Sequence, residues 1–129
     1  MVRLIVNVDV DDLEKAVEFY RRAIGLTLTR RLFEDSTAEM RGASSTIYLA
    51  AKPAGSSPAP GSVSTRDYRR HWTPVHMDFV VDDIEAAVAR AEEAGATLER
   101  GINTYGSFRE ATLSDPFGNG FCLLEAWPY

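Results

Sequence analysis

The chain nearly repeats itself. Residues 5–30 read IVNVDVDDLEKAVEFYRRAIGLTLTR, and residues 76–100 read HMDFVVDDIEAAVARAEEAGATLER. Val10-Asp11-Asp12-Leu13-Glu14 aligns with Val81-Asp82-Asp83-Ile84-Glu85, and Ala16-Val17 with Ala87-Val88. Gly25 aligns with Gly95 after a one-residue gap, and Thr27-Leu28 with Thr97-Leu98. Such a repeat means one supersecondary unit used twice. Carried back along the strands, its register pairs Ile5 with His76 and Asn7 with Asp78.

Each copy spells strand, then helix, then strand. In the second, Met77, Phe79 and Val81 alternate against His76, Asp78 and Val80, as a strand with two different faces requires. Asp82 or Asp83 stands where a carboxylate accepts the free N–H groups of a first helical turn. Ile84, Ala87, Val88 and Ala91 make one apolar stripe, and Gly95 closes the helix. The first copy predicts a strand over 3–10, a cap at Asp11 or Asp12, and a helix to about Ile24. Leu13, Ala16, Val17 and Tyr20 face inward, with Phe19 near the edge of the stripe. Further strands are expected over 26–34, 37–41 and 45–51, and in the second half over 96–100, 108–114 and 121–126, with a loop at 101–107. The run Asp115-Pro116-Phe117-Gly118-Asn119-Gly120 is a hairpin signal: proline sets one turn dihedral and glycine permits positive φ.

Lys52 to Thr65 reads KPAGSSPAPGSVST, the composition of a linker or mobile loop, with a lid over a site as the alternative. Arg66 to Trp72 (RDYRRHW) reads as a solvated basic turn that could also contact an anion, and His71 as a surface residue. A chain of 129 residues fits one domain, with modules 1–51 and 73–129 joined by the loop 52–72.

Net charge is −5, and from residue 72 onward ten acidic side chains face three arginines. That balance argues against nucleic acid and anionic membrane as partners, and mildly favours cationic or neutral ligands. Cys122 is the single cysteine, so there is no intrachain disulfide and no thiolate zinc cluster. The opening apolar run is too short for a signal peptide, and no stretch is long enough to span a bilayer. A cytoplasmic protein is expected. No glycine-rich phosphate loop, G-x-S-x-G elbow or HExxH appears.

Two βαβββ modules, Phe19-Tyr20 in the first helix and Asp115-Pro116-Phe117-Gly118-Asn119 before the last strand together resemble the vicinal oxygen chelate superfamily. This is the glyoxalase, bleomycin-resistance and extradiol-dioxygenase group. The resemblance covers nearly the whole chain apart from 52–72. It implies an α+β fold in which paired modules curl a mixed sheet around a cleft, and a homodimer whose modules share clefts. Its enzymes hold a divalent metal through the first and last strands of each module. Those positions here are Ile5, Tyr48, His76 and Cys122. Isoleucine offers no lone pair and neutral tyrosine is a poor ligand, whereas a catalytic Ni, Zn, Mn or Fe site needs about three protein donors. Glu110 could supply a third only if its register turns it inward. No cofactor is therefore expected, with a divalent metal as the lesser alternative.

His76 reads as a ligand-binding residue or general base, or as a histidine satisfied by a neighbour such as Tyr48. Tyr48 reads as a hydrogen-bond donor or acid in the same cleft, or as a half-buried sheet aromatic. Asp78 could orient His76 or pair with a cationic ligand. Asn7 is its symmetry mate. Cys122 reads as a small buried hydrophobe. Trp72, Tyr105, Phe108, Trp127 and Tyr129 are aromatics suited to a cavity mouth or a dimer interface. The resemblance, without the usual metal residues, implies a metal-independent small-molecule binder akin to antibiotic-sequestering proteins. The alternatives are a glyoxalase-like lyase, isomerase or dioxygenase-type enzyme, and a stand-alone regulatory domain.

Overall fold

A computed structural model describes residues 1–128. The first module runs β1 (Ile5–Val10), α1 (Leu13–Ile24), β2 (Thr27–Leu32), β3 (Thr37–Arg41) and β4 (Thr46–Ala51). The second runs β5 (Met77–Val81), α2 (Ile84–Ala94), β6 (Thr97–Tyr105), β7 (Phe108–Ser114) and β8 (Gly120–Glu125). Each makes a four-stranded mixed sheet, ordered β1-β4-β3-β2 and β5-β8-β7-β6. In both, the first strand lies parallel to the last and the others are antiparallel. The register repeats too: Asn7 stands opposite Tyr48 as Asp78 stands opposite Cys122.

Local chemistry places both helices alike. Asp12 and Asp83 are the N-caps, each accepting the N–H three residues on at 3.1 Å. Gly25 and Gly95 close the helices at φ +85° and +119°. Neither helix is long enough to persist alone in water, so burial of its apolar stripe sustains it. The stripes meet one face of each sheet, and both modules contribute to one core cluster. Phe19 is central to it: its ring lies 4.9 Å from Tyr20 and 6.4 Å from Phe121 of the second module. The edge position read from the helix stripe is thus corrected, because the surface that buries Phe19 belongs to the other repeat.

Two further expectations change. The strand expected to Glu34 stops at Leu32, since Phe33, Glu34 and Asp35 all take positive φ. The loop expected over 101–107 is mostly strand: β6 continues to Tyr105, with register shifts around Gly101. A glycine in a strand marks a bulge as readily as an end. Among the described residues, no helix is long and apolar enough to cross a membrane.

Candidate functional site

The segment between the modules is a folded strap, held at both ends. Gly55 N–H donates to Arg66 O, and Arg66 N–H to Ser56 O. The Arg66 guanidinium reaches Asp9 on β1 at 2.7 Å and Ser57 O at 2.9 Å, and its side chain is only 16% exposed. Tyr68 OH donates to Lys52 O. At the other end, His71 N–H donates to Gly118 O, Arg70 pairs with Glu99, and the Arg70 guanidinium lies over Trp72. Gly118 has φ +87°, and a Cβ there would run into the backbone carbonyl of Arg69. Glycine is therefore what lets strap and hairpin turn touch. The solvated basic turn expected over 66–72 is corrected for Arg66 and Arg70, whose side chains are largely covered; Arg69 pairs only with its neighbour Asp67 and remains 89% exposed.

Between strap, β1 and the start of β5 lies a cavity of about 590 Å³. Val6, Val8, Val75 and Met77 give it apolar walls; Asn7, Asp9, His71 and His76 bring polar groups to it. His71, read as a surface residue, lines this cavity. Its ring Nδ1 sits 2.8 Å from Arg69 O. Nothing in the local pattern RRHW signals this, because the contacts come from the turn at 118–119.

On the sheet faces turned away from the helices, the repeat lays out two rows. The first is Asn7, Tyr48, Glu39 and Arg30, across β1, β4, β3 and β2. Its centre is Glu39, whose side chain is 2% exposed and accepts from Thr29, Arg30, Arg41 and Tyr48. The Tyr48 hydroxyl, chiefly, and that of Thr29, with the two guanidiniums, hold the Glu39 carboxyl down at about 2. Tyr48 is thus occupied with Glu39 at 2.8 Å and is not among the cavity-lining residues. The expected meeting of Tyr48 with His76 in one cavity is corrected. Glu39 escaped the sequence reading; its one signal is a lone acid in the strand TAEMR facing a tyrosine.

The second row is Asp78, Cys122, Thr112 and Arg100. His76 lies two residues before Asp78, on the same face, with Nε2 3.4 Å from Asp78 Oδ1. The donor atoms of His76, Asp78 and Cys122 all lie within 4.8 Å of one another. Cys122 is buried, with Thr112 Oγ1 3.7 Å from its sulfur. Burial, with the nearby Asp78 and Glu110 carboxylates, pushes its thiol up to about 11.

The aromatics divide. Trp72 stands edge-on to His76, with centroids 5.1 Å apart. Tyr105 stacks on Phe108 at 5.6 Å, and Phe108 meets Trp127 at 4.7 Å. Tyr105 and Phe108 belong to the β6–β7 hairpin and do not line the cavity, and neither do Trp72, Asp78 and Cys122, which corrects their expected placement around it; of the expected residues, Asn7 and His76 line it. Tyr129 lies outside the described residues.

Residues 5–124 match the family model of the glyoxalase-like domain. The chain belongs to that family. A search of the curated proteins found no match. Solved structures share the fold of this glyoxalase-like domain along almost its whole length. TnmS3, an antibiotic binding protein from Streptomyces sp. CB03234, is 24% identical with a TM-score of 0.67, over 98% of this chain and 97% of that one. TioX from Micromonospora sp. ML1 is 14% identical with a TM-score of 0.74, over 98% and 100%. A lactoylglutathione lyase from Agrobacterium tumefaciens is 18% identical with a TM-score of 0.66, over 99% and 97%. Identities this low speak for the fold alone.

The metal set that the superfamily resemblance implies does not fit this glyoxalase-like domain. Ile5 has no donor atom, and the Tyr48 hydroxyl is committed to Glu39. The first module therefore offers nothing at either of its two positions. The donors that are grouped, His76, Asp78 and Cys122, all come from the second module.

Proposed function

We propose that this protein binds a small molecule, such as an antibiotic, in the cleft of a homodimer, with no metal shared between its modules. The observation that carries this reading is the cavity of about 590 Å³, whose walls come from both modules and the strap. That size suits a drug-like ligand, and apolar walls with a few converging polar groups are how such sites gain orientation and specificity. Asp9 is paired with Arg66 and Asp67 with Arg69, so the groups left to meet a ligand, Asn7, His71 and His76, favour a polar aromatic compound. The fold shared with an antibiotic binding protein agrees with this. The whole of 1–129 acts as one unit, in the cytoplasm, where a lone unpaired thiol is at ease. Half-exposed Ile5 and Val80 on the open sheet faces are ready cover for a second copy.

A thermal-shift screen of polar aromatic and cationic compounds tests the reading. Stabilising compounds that lose their effect in His76→Ala are expected. A screen without a single stabilising compound refutes it.

One observation favours a second reading, a glyoxalase-like enzyme: His76 and Asp78 form a pair in which a carboxylate could orient a general base. A His76→Ala variant with undiminished turnover of any substrate found would remove it.

A further inference from the structure

The strap brings to the cavity a side chain that the repeat does not supply, and holds it in place. His71 is seated by its backbone: its N–H donates to Gly118 O at 2.9 Å, and it pairs with Asn119 in an isolated β-bridge. Its ring is held as well, with Nδ1 2.8 Å from Arg69 O. That carbonyl is itself pressed against the turn, where a Cβ on Gly118 would collide with it. A carbonyl oxygen can only accept, so Nδ1 carries the ring proton. In a neutral imidazole Nε2 is then a bare lone pair. Among the described residues no group is bonded to Nε2.

The other acceptors around the cavity are engaged or free to turn. Asp9 bonds Arg66, and Asp67 bonds Arg69. Asn7 can present either end of its amide. His76 has Asp78 Oδ1 3.4 Å from its Nε2, too long a contact to fix a tautomer. Of these groups only His71 is set as an acceptor before a ligand arrives.

We infer that His71 is a specificity residue of the cavity, where its Nε2 accepts a hydrogen bond from a hydroxyl or amide N–H on an aromatic ligand. This rests on the cavity being the ligand site, as proposed above, and adds the polarity that the ligand must carry at the strap. A ligand donor meets an acceptor already oriented, so little ordering opposes the bond. An ether or carbonyl oxygen in the same place would set lone pair against lone pair and leave both unsatisfied.

Ring ¹⁵N–¹H correlation spectra of the full chain at about pH 8, where a free imidazole is uncharged, test the tautomer without any ligand. The chain has two histidines, so the His71→Phe spectrum assigns the ring. Nδ1 should be the protonated nitrogen and Nε2 the bare one; the reverse overturns the inference. The protein is then titrated with 2-naphthol and with 2-methoxynaphthalene, which share a ring system but of which only the first can donate. 2-Naphthol should bind about fivefold tighter, as an ordinary hydrogen bond brings, and should move the Nε2 signal. The contacts that seat residue 71 on the turn are backbone ones, so His71→Phe should keep the strap in place. In that variant the preference should disappear while the ether binds as before. His71→Gln, whose amide oxygen can accept, should restore part of it. Equal affinities in the wild type, or a His71→Phe variant that loses both compounds alike, overturn the inference and leave the cavity standing as a ligand site. Failure of both compounds to bind the wild type at millimolar concentration counts against the ligand site itself, and the inference falls with it.

Discussion

A carboxylate that is 2% exposed survives in a sheet only if its oxygens are fully engaged, and Glu39 has four donors on it. Its pKa is depressed from an ordinary 4.5 to about 2. A group depressed on folding stabilises the fold above its unfolded value, and that stability fades as pH falls through the folded one. Glu39 should therefore contribute fully above about pH 4.5 and lose its contribution towards about pH 2. Denaturant midpoints measured down that range should fall less steeply in Glu39→Gln than in the wild type. Parallel curves would mean that Glu39 does not titrate in this window. A second residue test concerns Tyr20, whose buried hydroxyl donates to Asp115 Oδ2 at 2.5 Å. In Tyr20→Phe that oxygen keeps only Asn119 Nδ2, and chemical denaturation should show a loss of about 1–3 kcal/mol.

At the scale of elements, that contact explains two motifs together. Asp115 takes the N–H groups of Phe117 and Asn119, shaping the turn, while Tyr20 reaches it from the helix of the other module. The turn then receives the strap through Gly118. Gly118 and Gly55 have similar φ, +87° and +81°, but only Gly118 has backbone where a Cβ would go. Both alanine variants carry the left-handed penalty of about 1–2 kcal/mol. Gly118→Ala should cost more, and it should expose residues 52–72 to faster proteolysis, whereas Gly55→Ala should not. Equal cleavage rates would show that the strap does not depend on this turn. The repeat, each capping aspartate to within one position, both closing glycines and the hairpin turn were all legible because their causes lie within a few residues. The strap was not: Arg66 finds Asp9 57 positions away, and Arg70 finds Glu99 29 positions away. Composition reports such a segment only as polar.

Across the whole molecule, the repeat made the strand faces legible, and with them the placing of His76 and Asp78 on one side, whereas Cys122 was set beside them only by the family resemblance. The division of labour between modules was hidden. Glu39 ties up Tyr48 in the first, and the second gathers the donors, a difference that arises from cross-strand partners. Sedimentation should give a dimer at micromolar concentration; a monomer throughout would leave each chain to form its cavity alone. The most direct test of ligand binding at this cavity uses Trp72, which stands against His76. In a Trp127→Phe background it is the only tryptophan. Its fluorescence, titrated with a compound that stabilises the protein, should change saturably at one equivalent per chain and lose that response in His76→Ala. A compound that binds with equal affinity in both proteins, leaving Trp72 unmoved, would place the binding site elsewhere.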